Sequence, residues 1–177
     1  MASFRRDAEF TEYVQARTPW LRRIAFLLCQ DWHRADDLTQ AVFLKLYVSW
    51  DRASKVDRVD AYVHTILVNT FLSEQQTTWW KRISLHRSEP VEHADEAVAE
   101  AFGMTGPTGD VDGTLDLLAA LATVPPRQRA ALVLRYYCDL SVSETAALLD
   151  CSQGTVKSQS SRGLDSLRLA FGNERAL

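Results

Sequence analysis

Polar and cationic side chains are concentrated in one short stretch near the carboxyl end of this 177-residue chain. The stretch runs from Thr155 to Arg162, and Val156 is the single apolar residue in it. Side chains of these types hydrogen-bond to base edges and phosphates when a helix carries them into the major groove of DNA. The stretch therefore predicts nucleic-acid recognition. Since Lys157 and Arg162 are its only strong cations, we expect it to bind DNA weakly by itself.

The residues before this stretch predict the elements that position it. Ser141-Val142-Ser143-Glu144 has the spacing of a capping box, in which the serine hydroxyl accepts from the third amide and Glu144 reaches back. A short helix over 142–149 follows, Asp150-Cys151 forms a turn, and Ser152 can cap the final helix. The pattern predicts a helix-turn-helix. The alternative is a pair of packed helices with no role in DNA binding.

The rest of the chain also predicts helices, because its apolar residues recur at three- and four-residue spacings. All seven glycines lie at or after Gly103, so the earlier residues lack the turns that close short hairpins. The predicted helices are two short ones divided at Thr18-Pro19, one over 35–50, a long one from 59 to about 82, one that stops at 124–126, and one that begins at Pro126. The predicted fold class is all-α.

Charge and glycine content divide the chain into three parts. Residues 1–87 carry 13 Lys/Arg and 10 Asp/Glu. Residues 88–116 carry no Lys/Arg and 8 Asp/Glu, and residues 117–177 carry 7 Lys/Arg and 5 Asp/Glu. Four of the glycines fall within 103–113. We predict two small helical domains, 1–87 and 114–177, joined by a flexible acidic linker over 88–113. An ordinary solvated surface loop is the alternative interpretation of that acidic segment.

Several function classes are disfavoured by what the sequence lacks. The longest uncharged stretch, 61–73, is shorter than a membrane span requires, and the amino terminus lacks the apolar run of a secretory signal. We therefore expect a cytoplasmic protein without a membrane span. The three cysteines are far apart and form no zinc motif, and no catalytic triad or phosphate-binding glycine loop occurs. We expect no cofactor, no metal and no enzyme activity.

Four segments together closely resemble a known family. They are Ala35-Asp36-Asp37-Leu38-Thr39-Gln40, the segment from Ala61-Tyr62-Val63 to Val68-Asn69, Pro125-Pro126-Arg127-Gln128-Arg129, and Leu140-Ser141 to Gly154-Thr155-Val156-Lys157-Ser158. In order and spacing they resemble the extracytoplasmic-function (ECF) sigma factors of bacterial RNA polymerase. Trp79-Trp80-Lys81-Arg82 is similar to the actinobacterial, sigma-E-like branch of that class. The resemblance spans residues 8–84 and 113–170 and implies sigma regions 2 and 4.

In the amino-terminal half, the resemblance implies two functions. Asp37 and Gln40 match the positions that dock on the β′ clamp helices of polymerase, and a spacing of three puts them on one helix face. A favourable charge near a helix start is the alternative explanation for Asp37. The residues implied in reading the melted minus-10 promoter element are Arg52, Lys55, Arg58, Asn69, Lys81 and Arg82. His64-Thr65 departs from the family, since many members have arginine there.

In the carboxyl-terminal half, the resemblance implies that the recognition helix reads the minus-35 promoter element. The residues carried over are Thr155, Lys157, Ser158, Gln159, Ser161 and Arg162. Ser161 is smaller than the residue common in the family. The implied function is transcription initiation, with the polymerase core (its β′ and β subunits), promoter DNA and an anti-sigma factor as partners. A standalone helix-turn-helix DNA-binding regulator is the alternative.

Overall fold

The computed structural model describes residues 2–55, 58–82, 100–102 and 111–174, and these ranges contain helices but no strand. The elements that position the site are α1 (Ala2–Cys29), α2 (Trp32–Val48), α3 (Trp50–Ala53), α4 (Val59–Arg82), α5 (Val111–Thr123), α6 (Pro126–Leu132), a π-helical segment (Val133–Tyr137), α7 (Val142–Leu148) and α8 (Gln153–Glu174). The predicted all-α fold is confirmed. No helix in the described ranges is both long and apolar enough to cross a membrane.

Helices α1, α2 and α4 form a bundle around one apolar core. Leu28, Leu38 and Phe71, one from each helix, are almost completely buried in that core. Asp31 caps α2 by accepting from the backbone N–H of Arg34 at 2.9 Å. Because of this cap the helix begins at Trp32, three residues before the start that the apolar pattern indicated. The bundle leaves the opposite face of α2 in solvent.

The predicted division at Thr18-Pro19 is wrong, because α1 continues through Pro19 as one helix. The hydroxyl of Thr18 caps no helix start and donates instead to the carbonyl oxygen of Val14 at 2.6 Å. A proline inside a helix removes one backbone hydrogen bond. Packing on both sides of the proline offsets that loss: the ring of Phe10 lies 5.2 Å from that of Trp50, and Ile24 is fully buried.

The local signals of the carboxyl-terminal half are confirmed. Pro126 begins α6, the capping box of Ser141 and Glu144 is formed, and the Ser152 hydroxyl accepts from the N–H of Thr155 at 3.0 Å. In the turn before α8, Asp150 has a φ of 48°, the left-handed conformation that favours glycine. Aspartate tolerates this conformation better than most residues, so the turn forms without a glycine.

Two features of this half were not predicted. Helix α6 continues directly into the π-helical segment, before the chain turns towards α7. Helix α8 crosses α6 so closely at Gly163 that a Cβ there would lie 2.8 Å from Cδ1 of Leu132. A larger residue at 163 would therefore push Leu132 from its place in the core.

Arg129 joins the two halves of the chain. Its buried guanidinium donates to the carbonyl oxygen of Leu28 at 2.7 Å, and to those of Ala122 and Val124, each at 2.9 Å. Leu28 precedes Arg129 by 101 residues and lies in the last turn of α1, whereas Ala122 lies in the last turn of α5 and Val124 directly follows that helix. Burial lowers the pKa of Arg129 to about 10, so the group remains charged at neutral pH.

Aromatic side chains add to this contact. Phe102 lies between the rings of Phe26 and Tyr137, with centroid distances of 6.4 and 6.2 Å. Phe26 belongs to α1 and Tyr137 to the π-helical segment, so Phe102 fills space between the two halves. The predicted linker over 88–113 otherwise lies almost entirely outside the described residues. The division into two domains at 87 and 114 stays a prediction.

Candidate functional site

The exposed face of α2 carries both residues predicted to dock on polymerase. Asp37 and Gln40 are exposed, while Leu38 and Thr39 between them are buried in the bundle. The neighbouring Asp36 is paired with Arg22 of α1, whereas the Asp37 side chain faces solvent. A carboxylate and an amide are thus presented together on a helix whose other face is fixed by the core.

Four of the six predicted minus-10 residues are exposed, and the surface that they define is called the minus-10 edge below. Arg52 on α3, Lys55 in the turn after it, and Arg58 just before α4 are all exposed. Asn69 is exposed on α4, ten residues from Val59 and therefore ~15 Å along the helix axis. A single strand that contacts both the loop and Asn69 must run along α4.

Lys81 and Arg82 close α4, but their side chains lie outside the described residues, as do those of Trp79 and Trp80. The structure therefore places only the backbone of this helix end. Their proposed contact with DNA stays a prediction.

Arg58 is engaged by the helix-turn-helix in this structure. Its guanidinium lies 3.3 Å from a carboxylate oxygen of Glu144. Glu144 also completes the capping box of α7, and the hydrogen bond from the Ser141 backbone is the main reason that its pKa is lowered. An exposed ion pair contributes little stability, so Arg58 can exchange Glu144 for another anion at small cost.

The recognition helix α8 presents four of its six predicted DNA-binding side chains to solvent, namely Lys157, Ser158, Ser161 and Arg162. Thr155 and Gln159 are half-buried, and the Thr155 hydroxyl is 2.9 Å from that of Ser152, within the cap. Ser160, which the polar pattern grouped with the DNA readers, is 8% exposed and faces inward with Val156. Helix α8 therefore has one solvent-exposed face and one buried face.

His64 is buried in the bundle and does not lie on its solvent-exposed surface. It is 6% exposed, its ring lies 5.0 Å from that of Trp20, and neither ring nitrogen has a hydrogen-bond partner among the described residues. Burial lowers the pKa of His64, and Asp60 opposes part of this shift. The imidazole is therefore neutral at pH 7, and it cannot replace an arginine as a phosphate ligand.

His64 makes the stability of the protein depend on pH. Its pKa is lower in the folded state than the ordinary value of 6.5, so unfolding takes up a proton as the pH falls through 6.5. We expect the urea midpoint to fall between pH 7 and pH 5, and to fall less in His64→Leu, which cannot titrate. Equal changes in the two proteins would contradict this assignment.

Three residues near the recognition face of α8 were not predicted from the sequence. Arg135 and Tyr136 of the π-helical segment and Arg168 of α8 line a cleft together with Lys157. The spacing of eleven residues between Lys157 and Arg168 puts both on one face of a helix and was the signal available in the sequence. Arg135 had no such signal, because it lies on another element.

The residues that carry these faces match two protein families. The family described as Sigma-70 region 2 matches residues 13–81, and the one described as Sigma-70, region 4 matches residues 114–167. The first match includes the exposed face of α2 and the minus-10 edge. The second includes α7 and the first fifteen residues of α8.

Curated relatives align over most of the chain. The RNA polymerase sigma-E factors of Streptomyces avermitilis and Streptomyces coelicolor are each 36% identical over 90% of this chain and over 83% and 84% of their own lengths. The ECF RNA polymerase sigma factor EcfG of Rhodopseudomonas palustris is 31% identical over 87% of this chain and 80% of its own.

A solved structure has the same fold. It is the sigma factor RpoE in complex with the anti-sigma factor NepR from Bartonella quintana, with a TM-score of 0.73. The likeness covers 93% of this chain and 97% of that chain at 24% sequence identity.

Proposed function

Since the chain belongs to the extracytoplasmic-function sigma factors of the sigma-70 family, we propose that it is a transcription initiation factor. It binds the core of RNA polymerase and directs it to promoters by reading the minus-10 and minus-35 elements. The observation that carries the proposal is the match of regions 2 and 4, in order, in one chain. The role is not catalytic, and it is exercised in the cytoplasm, where polymerase and chromosome meet.

Docking on polymerase is assigned to the exposed face of α2. Asp37 and Gln40 offer a carboxylate and an amide to the β′ clamp helices, and the buried side of α2 holds both in register. Docking also compensates for the low affinity of each DNA contact taken alone. When both DNA-reading parts are fixed on one polymerase, the second contact becomes intramolecular and its effective concentration rises.

The minus-10 element is assigned to the edge that ends at Asn69. Arg52, Lys55 and Arg58 are exposed cations that can follow the backbone of a melted strand, with Lys81 and Arg82 at the far end of α4. The Asn69 amide can donate to and accept from the edge of an unstacked base. Arg58 must leave Glu144 before it contacts DNA, so promoter binding separates this pair.

The minus-35 element is assigned to the first turns of α8. Lys157, Ser158, Ser161 and Arg162 point to solvent from a helix that fits the major groove, and Gln159 lies at the margin of the same face. Thr155 belongs to the amino-terminal cap of α8, where its backbone N–H and its hydroxyl contact the Ser152 hydroxyl. An anti-sigma factor that covers the α2 face or the DNA-reading faces is the proposed regulator.

Run-off transcription tests the proposed function. The purified chain is mixed with core polymerase from an actinobacterium and a pool of genomic promoter fragments, with core alone as the control. We expect defined start sites that appear only when the chain is present, and their upstream sequences give the two elements directly.

Two other outcomes would overturn the proposal. If the chain alone shifts specific DNA and adds no start site to core polymerase, it is a standalone helix-turn-helix regulator. If it neither binds core nor changes initiation, its helices serve protein interaction and not promoter recognition.

A further inference from the structure

Ala101 and Phe102 lie between the two halves of the chain. Arg23 of α1 donates to the carbonyl oxygen of Ala101 at 3.1 Å, which holds this part of the chain on the amino-terminal half. The ring of Phe102 then lies 6.4 Å from that of Phe26 on α1 and 6.2 Å from that of Tyr137 in the π-helical segment. Aromatic pairs at such distances add stability beyond the area that they bury. Phe102 lies outside both matched regions, so it stabilises the contact between the halves without belonging to either of them.

Two polar contacts cross the same junction. The guanidinium of Arg129 donates to the carbonyl oxygen of Leu28 on α1 at 2.7 Å. Arg58, beside the start of α4, pairs with Glu144 of α7 at 3.3 Å. These two contacts, together with Phe102 between its neighbouring rings, are called the closed contact below. In the closed contact, an arginine proposed to bind the minus-10 strand is engaged by a carboxylate of the other half.

The closed contact is incompatible with reading both promoter elements at once. Elements at minus-10 and minus-35 are about 25 base pairs apart, which is about 85 Å along the DNA axis. Glu144 lies against Arg58, and Lys157 follows Glu144 by thirteen residues. Thirteen residues span at most about 47 Å even when the chain is fully extended. The recognition helix must therefore move away from Arg58 before the two halves can reach their two elements.

The closed contact can open while each half stays folded. On opening, Arg129 loses the carbonyl oxygen of Leu28 but keeps those of Ala122 and Val124, which belong to its own half. The ion pair across the junction is exposed and contributes little by itself. The open and closed forms therefore differ by a small number of contacts, of which the aromatic ones are the most specific.

We propose that the closed contact is autoinhibitory in the free chain and that Phe102 is its main component. The inference rests on the function proposed above and adds a conformational control to it. Because the closed form withholds Arg58 and cannot span both elements, the fraction of open molecules sets the apparent affinity of the free chain for DNA. The form bound to polymerase and promoter is open. Promoter reading is thus reserved for chains that are assembled with polymerase.

Phe102→Ala tests the proposal, and Phe4→Ala is its matched control, because Phe4 is 83% exposed on α1. Neither substitution changes the net charge. Small-angle X-ray scattering measures the radius of gyration of the free chain, which is about 16 Å for a compact chain of this length. We expect Phe102→Ala to increase the radius by several ångströms and Phe4→Ala to leave it at the wild-type value.

DNA affinity is the second measurement. The probe is a labelled single strand that carries the minus-10 sequence obtained from the run-off start sites. Free Phe102→Ala should bind it at least roughly fivefold more tightly than the wild type, because two aromatic contacts no longer hold the chain closed. Assembled with core polymerase, the same variant should bind promoter DNA like the wild type, since the chain is already open there.

A second variant tests the ion pair. Glu144→Gln keeps the capping box, because glutamine also serves at that position, but it removes the charge that engages Arg58. The free variant should bind the labelled strand roughly two- to fivefold more tightly. Glu9→Gln, which removes an exposed carboxylate paired within α1, should bind like the wild type. If circular dichroism shows that Phe102→Ala does not fold, this pair of variants decides.

Three results would overturn the autoinhibitory role while run-off transcription still supports the proposed function. The first is that Phe102→Ala matches Phe4→Ala in radius and in affinity. The second is that Phe102→Ala changes promoter binding equally with and without polymerase. The third is that Glu144→Gln and Glu9→Gln bind the strand alike. Failure of the wild type to add start sites to core polymerase would overturn the proposed function and, with it, this inference.

Discussion

Arg129→Ala is expected to lower the free energy of unfolding by roughly 3 to 5 kcal/mol, because it leaves three carbonyl oxygens without their donor. Those of Leu28, Ala122 and Val124 lie 2.7 to 2.9 Å from the guanidinium. The loss is a large part of the 5 to 15 kcal/mol that stabilises an ordinary domain. Urea denaturation followed by circular dichroism measures it.

The matched control is Arg127→Ala, two residues earlier on the same helix and exposed. It should change the free energy of unfolding by no more than about 0.5 kcal/mol. A loss below about 1 kcal/mol for Arg129→Ala would mean that water replaces the guanidinium at these carbonyls. It would then follow that Arg129 does not hold the two halves together.

Simultaneous replacement of Asp37 and Gln40 by alanine is expected to weaken binding to core polymerase ~30-fold or more, the equivalent of about 2 kcal/mol at a docking hot spot. Run-off transcription should fall in parallel, since without docking the two DNA contacts are again separate and weak. Both residues are exposed, so the fold should be unaffected. Competition with a labelled wild-type chain for core polymerase measures the affinity.

Glu12→Ala is the control for this experiment, because Glu12 is an exposed acidic residue on a different helix, α1. It should bind core polymerase like the wild type. Unchanged affinity of the Asp37 and Gln40 variant would remove the α2 face from the docking site. A similar loss in both variants would mean that overall negative charge, and not this face, attracts the polymerase.

Features that depend on neighbouring residues were determined by the sequence itself. The capping box at Ser141, the cap at Ser152 and the helix start at Pro126 all formed as predicted. These are contacts within one helical turn, so residue types at fixed spacing are sufficient to specify them. For the same reason the spacing of Asp37 and Gln40 predicted that both lie on one exposed face.

Features that depend on residues far apart in the sequence were decided only by the tertiary structure. Thr18-Pro19 was predicted to divide two helices, but packing on both sides of the proline keeps α1 continuous. Ser160 looked available to DNA by residue type, and the packing of α8 buries it. Whether a polar side chain faces solvent depends on which elements cover it, and apolar periodicity does not report that.

The contact between the halves is the clearest case. Arg129 donates to a carbonyl oxygen 101 residues away, and Arg58 pairs with Glu144 across the same junction. Any surface arginine has the same sequence signature as these two. The free energy of their contacts depends on burial and on the arrangement of distant carbonyls and carboxylates, which exists only after the helices have packed.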